Sequence, residues 1–416
     1  MPKQPNQSTA LSMQRMTTMP FPTVNRSVIE FFEHRRNRLA IVKTTRTPSG
    51  QVLDWIPIES QAPGDKIATP PPAVEKRRSC HPAIDAISTD VSFELETFGA
   101  DRGPEGTVPI LRPRFSLLEG ISETVRKRKV DGRRFSERRD PPPAPDLTRY
   151  YHATASAYSS CYGCLSALSL WDPQCELDRD HSISQFGIQN YDNPQLQSIE
   201  AGCICSKAQF GDNLLHLFTY YTNNAYNVEG DNLGGYNANY RGWVQTHPHI
   251  FPGAVISAVD WPGFPGYEME ISFDLHDGNW WFYVGRTPIG YYPGSLFAGA
   301  HGKTLADHGS WCGFWGEVYS DKTDPSKTTT SMGSGLHAKY GWPFAAYQRD
   351  MLINTTVPGR VDILSLSSKS PALSTSVENA ALYDIELAGS PFDGFMFFGG
   401  SGTGTPGVVA YPAPFF

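Results

Sequence analysis

Long apolar runs are missing from this sequence. No stretch of about 18 or more apolar residues occurs, so we expect no membrane-spanning segment and no membrane partner. The N-terminal residues MPKQPNQSTALSMQRMTTMPFPTV also lack the apolar core of about 7–15 residues that a secretory signal requires. The sequence as given therefore shows no export signal.

Charge and the signatures of common enzymes are also scarce. Charged residues make up only 19% of the chain, and the formal net charge is -7. A net negative chain has no general attraction to a phosphate backbone, which argues against nucleic acid as a partner. The sequence contains no G-x-S-x-G elbow, H-E-x-x-H helix or P-loop, and we expect no cofactor and no metal.

Glycine, proline and aromatic residues are abundant. The chain has 38 glycines, 34 prolines and 12% aromatic residues. This composition is typical of many short strands joined by turns, and it predicts a mostly β fold. Two strands are expected near the C-terminus, at 381–387 and 394–400.

The clearest strand pattern lies at 267–275, where apolar and polar residues alternate strictly. Asp277 and Gly278 then predict a turn, and 279–284 is expected to return as the second strand of a hairpin. The pattern assigns the acids Glu268, Glu270 and Asp274 to a solvated face. The residues expected to point inward are Met269, Ile271, Phe273 and Leu275.

Composition shifts divide the chain into four parts. Residues 1–27 are polar and unperiodic, which predicts a disordered tail. Residues 28–100 include a short helical pattern at 27–37 and a buried-strand pattern at 52–58, which predicts a small α+β module. Residues 101–147 are rich in proline and, at 126–134, in basic residues, which predicts a linker with sites for a processing protease. Residues 148–416 carry dense strand signals and form the predicted β domain.

Six of the seven cysteines lie between 161 and 312, within the predicted β domain, which suggests disulfides there. Cys161 and Cys164 form a C-x-x-C pair, but no second pair follows at the spacing of a zinc finger, so we do not expect zinc. Because the count is odd, at least one thiol is expected to be unpaired, and Cys80 is the isolated candidate. The connectivity does not follow from the sequence.

Glu200 is the first of two acids whose strand neighbours differ from those of ordinary solvent-facing residues. On a strand, Glu200 and Gly202 share one face, while Ile199, Ala201 and Cys203 share the other. Glycine inside a strand often marks the close approach of a ligand or of backbone, and we expect Gly202 to leave open space beside Glu200.

Glu317 is the second acid. On a strand, its side chain projects between those of Trp315 and Tyr319. Burial between two rings would disfavour the charged carboxylate, so we expect Glu317 to be the protonated partner and Glu200 the base. Either glutamate taken alone is more often an ordinary surface residue.

Six blocks of sequence, in order, resemble the neprosin family of glutamic peptidases. They are IEAG at 199–202, LFTYYT at 217–222, GNWW at 278–281, IGYYP at 289–293, WGEV at 315–318 and SMGSG at 331–335. The N-terminal segments RTPSG at 46–50 and DWIPI at 54–58 resemble the propeptide-like region that precedes the domain in that family. One departure is Cys203, where the family has tryptophan, and this puts the shape of the cleft in question.

The resemblance implies a secreted protein with an antiparallel β-sandwich whose concave face carries a catalytic glutamate pair, Glu200 and Glu317. It implies metal-independent hydrolysis of peptide or protein substrates at acidic pH, with cleavage after proline. We expect Gln185, Trp281 and Tyr292 to be hydrogen-bonding or stacking neighbours of the pair, or else core residues.

A non-catalytic β-sandwich that binds peptide or carbohydrate is the alternative. The aromatic residues on which it depends are Trp280, Trp281, Tyr291, Tyr292, Trp311 and Trp315.

Overall fold

The computed structural model describes residues 26–61, 66–71, 91–97, 99–114, 149–192, 195–263, 266–299, 303–356 and 363–405. The predicted tail lies outside these residues except for its last two positions, and so does Cys80. Within the described residues there are two α-helices, α1 (Arg26–Asn37) and α2 (Lys207–Phe210). No helix among them is long and apolar enough to cross a membrane.

The described strands, numbered along the chain, form three antiparallel sheets. The three-stranded sheet contains β1 (Lys43–Arg46), β2 (Val52–Pro57) and β3 (Thr107–Leu111). The seven-stranded sheet contains β4 (Tyr150–Cys161), β6 (His181–Asn190), β7 (Gln197–Cys205), β8 (Leu215–Thr222), β9 (Gly234–Tyr236), β14 (Gly309–Tyr319) and β17 (Ser374–Val377). The nine-stranded sheet contains β5 (Gly163–Ser169), β10 (Val244–Gln245), β11 (Glu268–His276), β12 (Asn279–Val284), β13 (Thr287–Pro293), β15 (Ala346–Asn354), β16 (Ile363–Ser365), β18 (Asp384–Leu387) and β19 (Met396–Gly399).

The two large sheets pack face to face around one apolar core. Phe186, Ile199 and Phe314 enter this core from the seven-stranded sheet, and Ile271 and Phe273 enter it from the nine-stranded sheet. The seven-stranded sheet has the order β17-β4-β14-β6-β7-β8-β9 among the described strands. The prediction of a mostly β, antiparallel sandwich is therefore confirmed.

The predicted hairpin is present. Strands β11 and β12 pair antiparallel, and the two turn residues, Asp277 and Gly278, have φ values of 47° and 72°. All four residues that were expected to point inward are buried. The prediction that Glu268 lies on a solvated face was wrong. Glu268 is fully buried and accepts a hydrogen bond from Arg349 Nε at 2.8 Å. Arg349 comes from β15, so the local alternation could not show this partner.

The two C-terminal strands are confirmed as β18 and β19. They pair with each other, and β19 also pairs with β15, so both belong to the nine-stranded sheet. The C-terminal region thus completes the sandwich.

The N-terminal module contains α1 and the three-stranded sheet. The expected helix at 27–37 and the expected buried strand at 52–58 correspond to α1 and β2. Strand β3 lies beyond residue 100, in the segment that was assigned to the linker, and pairs with β2. Pro109 makes this run look like coil in the sequence, but an edge strand tolerates proline. The basic tract at 126–134 lies outside the described residues.

The module packs directly against the sandwich. Leu53, Trp55 and Phe93 belong to the same apolar core as the two large sheets. Phe93 also forms a β-bridge with Ile256, and the side-chain amide of Gln51 donates to the Gly253 carbonyl at 2.8 Å. The module is therefore held by buried contacts as well as by the chain connection.

One disulfide joins the two large sheets. Cys164 on β5 is bonded to Cys312 on β14, so the C-x-x-C pair does not present two free thiols. Cys175 and Cys205 are reduced, with their sulfur atoms 3.9 Å apart. Among the described residues, no group of His, Cys, Asp and Glu has an arrangement that would hold a metal ion.

Candidate active site

Glu200 and Glu317 lie on the same face of the seven-stranded sheet. Ile199 and Ala201 point into the inter-sheet core from β7, so Glu200 points to the opposite face, as the alternation predicts. On β14, Phe314 and Val318 point into the core, and Glu317 again lies opposite. Both glutamates thus project away from the nine-stranded sheet.

Cys203, where the family has tryptophan, also points into the inter-sheet core and is 2% exposed. This departure from the family pattern therefore changes the core and does not face the two acids.

The strand register places the two acids diagonally across the sheet. Strand β6 lies between β14 and β7, and Glu317 is level with Ile183 on β6. Glu200 is level with Gly187, which is itself level with Gly313, four residues along β14 from Glu317. Each glutamate is 1% exposed, so the site is closed to solvent in this form of the protein.

Four side chains surround the Glu317 carboxyl. The Gln185 amide donates to Oε2 at 2.8 Å, and the Trp315 indole N–H donates to the same atom at 3.3 Å. His181 Nε2 lies 3.0 Å from Oε1. His152 Nε2 lies 3.5 Å from Oε2, which is close enough for an ion pair but outside good hydrogen-bond geometry.

These neighbours favour the ionised form of Glu317. The amide N–H of Gln185 and the indole N–H of Trp315 can only donate, so they stabilise a carboxylate and have nothing to accept from a protonated acid. The sequence-based expectation assigned the proton to Glu317 because of the ring of Trp315. The structure shows that this ring turns its polar N–H toward the carboxyl, which favours the opposite assignment.

Glu200 has neighbours of a different kind. Ser198 Oγ lies 3.0 Å from Oε1, and the Tyr226 hydroxyl lies 2.5 Å from the same atom. Hydroxyl groups can donate or accept, so this environment allows either form of Glu200. Burial raises the pKa of Tyr226 well above its ordinary value, so the phenol keeps its proton.

Tyr226 was not found from the sequence. It follows β8 in a loop where both Ala225 and Tyr226 have φ values of 60°, a conformation that side chains other than glycine rarely adopt. Such strain is often stored where a side chain must be held in one position, and here it brings the phenol to Glu200. No local sequence pattern marks this, because neither residue is a glycine or an asparagine.

Two glycines near the acids have different roles. A Cβ added at Gly202 would lie 2.0 Å from the Ser184 carbonyl oxygen, so the space expected beside Glu200 does not exist there. Gly202 instead allows the backbone of β6 to come close. A Cβ added at Gly187 would lie 2.9 Å from Glu200 Cγ and 2.8 Å from a ring atom of Trp315.

Trp315 therefore reaches both acids. Its indole N–H contacts Glu317, and the far end of its ring lies over Gly187, where the side chain of Glu200 also lies.

Of the three expected neighbours, only Gln185 contacts an acid. Tyr292 is buried between the sheets, and its hydroxyl lies 3.1 Å from Thr219 Oγ1. Thr219 contacts the backbone carbonyl of Glu200, so Tyr292 is linked to the strand and not to the carboxyl. Trp281 is buried on the outer face of the nine-stranded sheet, where it packs against Tyr291 in a small apolar cluster.

His152 and His181 were also missed. Both are buried, and they come from β4 and β6, the two strands that flank β14. The sequence offers only a weak signal, namely that each histidine occupies the same strand face as its cross-strand neighbour on β14. That alignment is visible only once the strand order is known.

Comparisons with known proteins agree with the family that the motifs indicate. A family model described as Neprosin matches residues 178–401. Among solved structures, a scytalido-glutamic peptidase bound to a peptide-based transition state analog is 10% identical, with a TM-score of 0.34, covering 61% of this chain and 98% of its own. CG-16, a homodimeric agglutinin from chicken liver, is 8% identical, with a TM-score of 0.21, covering 41% of this chain and 96% of its own. Likenesses this weak do not establish a shared fold.

Proposed function

The chain belongs to the neprosin family, and on that premise we propose that it is a glutamic endopeptidase that uses Glu200 and Glu317 to hydrolyse peptide bonds at acidic pH. The observation that carries the proposal is the pair itself. Two buried glutamates share one sheet face, and each is held by hydrogen bonds to its neighbours.

In the proposed mechanism, Glu317 is the general base. Its carboxylate takes a proton from a water molecule, and the water oxygen attacks the carbonyl carbon of the scissile bond. Glu200 is protonated and donates a hydrogen bond to the carbonyl oxygen as negative charge develops there. The proton held by Glu317 then passes to the amide nitrogen, the C–N bond breaks, and the amine leaves.

The unequal neighbours of the two acids support these roles. The proposed chemistry requires one ionised and one protonated carboxyl. The donors at Glu317 stabilise its carboxylate, and the hydroxyls at Glu200 tolerate its acid form. The same groups supply both the base and the acid, and no metal is required by the proposal.

The preference for cleavage after proline and the secretion of the protein are carried over from the family resemblance. The disulfide between Cys164 and Cys312 suits an oxidising compartment, which supports secretion.

We expect the protein to cut a peptide with one internal proline on the carboxyl side of that residue at acidic pH. The masses of the products identify the cleaved bond. A peptide with alanine in place of the proline is the matched control, and a second reaction contains a metal chelator. Cutting of both peptides alike would overturn the proline preference, whereas inhibition by the chelator would overturn the metal-independent mechanism.

The burial of both acids indicates how activity is controlled. A substrate cannot reach carboxyls that are 1% exposed, so the described form is interpreted as a precursor. The N-terminal module is the propeptide-like part of this precursor.

Cutting the chain within 126–147 should leave the module attached at first, so activity should rise only as the module separates. Its buried contacts with the sandwich, through residues such as Trp55 and Phe93, remain after the cut. Limited proteolysis should give two bands on a denaturing gel and a single species in gel filtration. Early cuts only within 200–350 would contradict this domain boundary.

The alternative of a non-catalytic binding module has lost its main support. All six aromatic residues on which it depended are at most 4% exposed, so they cannot stack on a ligand at the surface of this form. The exposed rings of the described residues are others, and one of them, Tyr158 on β4, lies on the same sheet face as the two acids, with its ring 6.2 Å from that of Tyr191.

A further inference from the structure

A line of charged side chains extends from Glu317 toward the protein surface. His152 on β4 lies beside Glu317, with its Nε2 atom 3.5 Å from Oε2. The other ring nitrogen of His152, Nδ1, lies 2.9 Å from Oε2 of Glu378. The Glu378 side chain is 32% exposed and that of His152 is 5% exposed, so the line begins at the surface and ends in the site.

Strand pairing holds Glu378 in place. Strand β17 pairs with β4 in a register that sets Val377 opposite Ala153, and Glu378 follows directly. The backbone N–H of His152 donates to Glu378 Oε2 at 2.8 Å, and the backbone N–H of Glu378 donates to the His152 carbonyl at 3.3 Å. One carboxylate oxygen thus contacts both the backbone and the ring of His152.

The two glutamates keep His152 charged. Burial alone would lower the pKa of His152, but Glu378 and Glu317 outweigh it and raise this pKa to about 10. The imidazole is therefore a cation throughout the acidic and neutral range, fixed between two carboxylates.

Other titratable groups lie beside this line. His181 on β6 contacts the other oxygen of Glu317, at 3.0 Å. Tyr150, on the same strand as His152, stacks on its ring with the centroids 6.4 Å apart, and Tyr319 packs against Tyr150 and His181. Burial and the charge of Glu317 raise the pKa of Tyr236 on β9, so its phenol remains protonated.

Resting on the proposed function, we propose that His152 and Glu378 are positioning residues of the peptidase, which keep Glu317 ionised at the acidic pH of the reaction without touching the substrate. A carboxylate that acts as a general base at acidic pH must be kept ionised by its surroundings. A buried carboxyl at acidic pH tends to take up a proton and would then be useless as a base. A fixed neighbouring cation opposes that protonation, and Glu378 is what makes the cation stable in a buried position.

The informative variant is Glu378→Gln, because Glu378 is partly exposed and the change keeps its shape. The loss of this anion makes His152 easier to deprotonate and weakens its hold on the ionised Glu317. We expect the acidic limb of the kcat profile to move to higher pH by about one unit, with KM nearly unchanged. Glu378→Asp restores the charge and should recover part of the shift. Glu386→Gln, an exposed glutamate on β18, is the matched control and should leave the profile unchanged.

A readout that does not depend on activity is the pH dependence of stability. Because the folded-state pKa of His152 is raised from 6.5 to about 10, its contribution to stability is complete below about 6.5 and is lost as the pH rises through about 10. The melting temperature of the unmodified protein should therefore exceed that of Glu378→Gln most strongly at acidic and neutral pH, and the difference should shrink toward pH 10.

The possible failures are distinguishable. If Glu317→Gln removes activity but folded Glu378→Gln keeps the original acidic limb, the positioning role is wrong and the peptidase assignment stands. If the unmodified protein cleaves no peptide after the linker is cut and the module has separated, the proposed function fails, and so does the role in catalysis. A melting difference that does not change with pH would show that Glu378 does not hold the charge of His152.

Discussion

Replacing Glu317 with glutamine, or Glu200 with alanine, should remove peptide hydrolysis, with a loss of at least about 100-fold in kcat. General acid and base groups typically contribute about 10²–10⁴ in rate, and at Glu317 the amide keeps the shape of the side chain while it removes the ionisation. For Glu317 the loss is that of the base. For Glu200 it is the loss of the group that donates to the developing oxyanion, and alanine is used because a glutamine amide could still donate there. Initial rates on the proline peptide at several acidic pH values provide the measurement.

The control for these variants is Glu270→Gln, which makes the same change as Glu317→Gln on β11 of the other large sheet. It should retain normal rates. Circular dichroism must show that all three variants are folded, since the glutamine at 317 places an amide N–H among groups that already donate to this position. Near-normal activity of either folded site variant would reject the assignment of the pair.

Replacing Gly202 with alanine should strongly destabilise the protein and also reduce its activity. The added Cβ would lie 2.0 Å from the Ser184 carbonyl oxygen and 2.7 Å from Gln185 Cα. Both are backbone atoms, so β6 must move as a whole, at a cost of about 1–3 kcal/mol or more in the free energy of unfolding. Because Gln185 donates to Glu317, the same displacement should weaken the hold on the base. Urea unfolding and the rate on the proline peptide report the two effects separately.

Gly389→Ala is the matched control for this change. An added Cβ at Gly389 meets no atom within 4 Å, so the substitution should be nearly neutral in stability and activity. Equal unfolding midpoints for the two variants would show that β6 is not tightly packed against Gly202.

Burial alone does not distinguish a catalytic glutamate in this fold. Glu268 is as buried as Glu200 and Glu317, but a nearby permanent cation, Arg349, neutralises it by direct contact. Glu317 instead accepts hydrogen bonds from the neutral Gln185 amide and Trp315 indole, and the cationic ring of His152 lies 3.5 Å away without a hydrogen bond to it. A carboxylate that faces such groups can take up and release a proton, whereas one that is locked to an arginine cannot do so easily.

The sequence by itself determined the local features of this protein. Strict alternation predicted the strand β11 and the inward side of the sheet, and Asp277 and Gly278 predicted the turn. The same alternation placed Glu200 and Glu317 on the strand faces opposite the core residues, and the motif blocks indicated the family. These inferences succeed because the side chains of a strand alternate between two faces with a period of two residues, and because the conformation of a turn depends on a few neighbouring residues.

Only the tertiary structure decided which side chains meet. His181 is 136 residues from Glu317, and His152 is 226 residues from Glu378, yet both pairs are in contact because β17, β4, β14 and β6 are neighbours in one sheet. The same limitation explains the errors at Glu268 and Gly202, whose environments are made by Arg349 and by the backbone of β6. Strand order depends on how all the strands share a single core, and no short stretch of sequence contains that information.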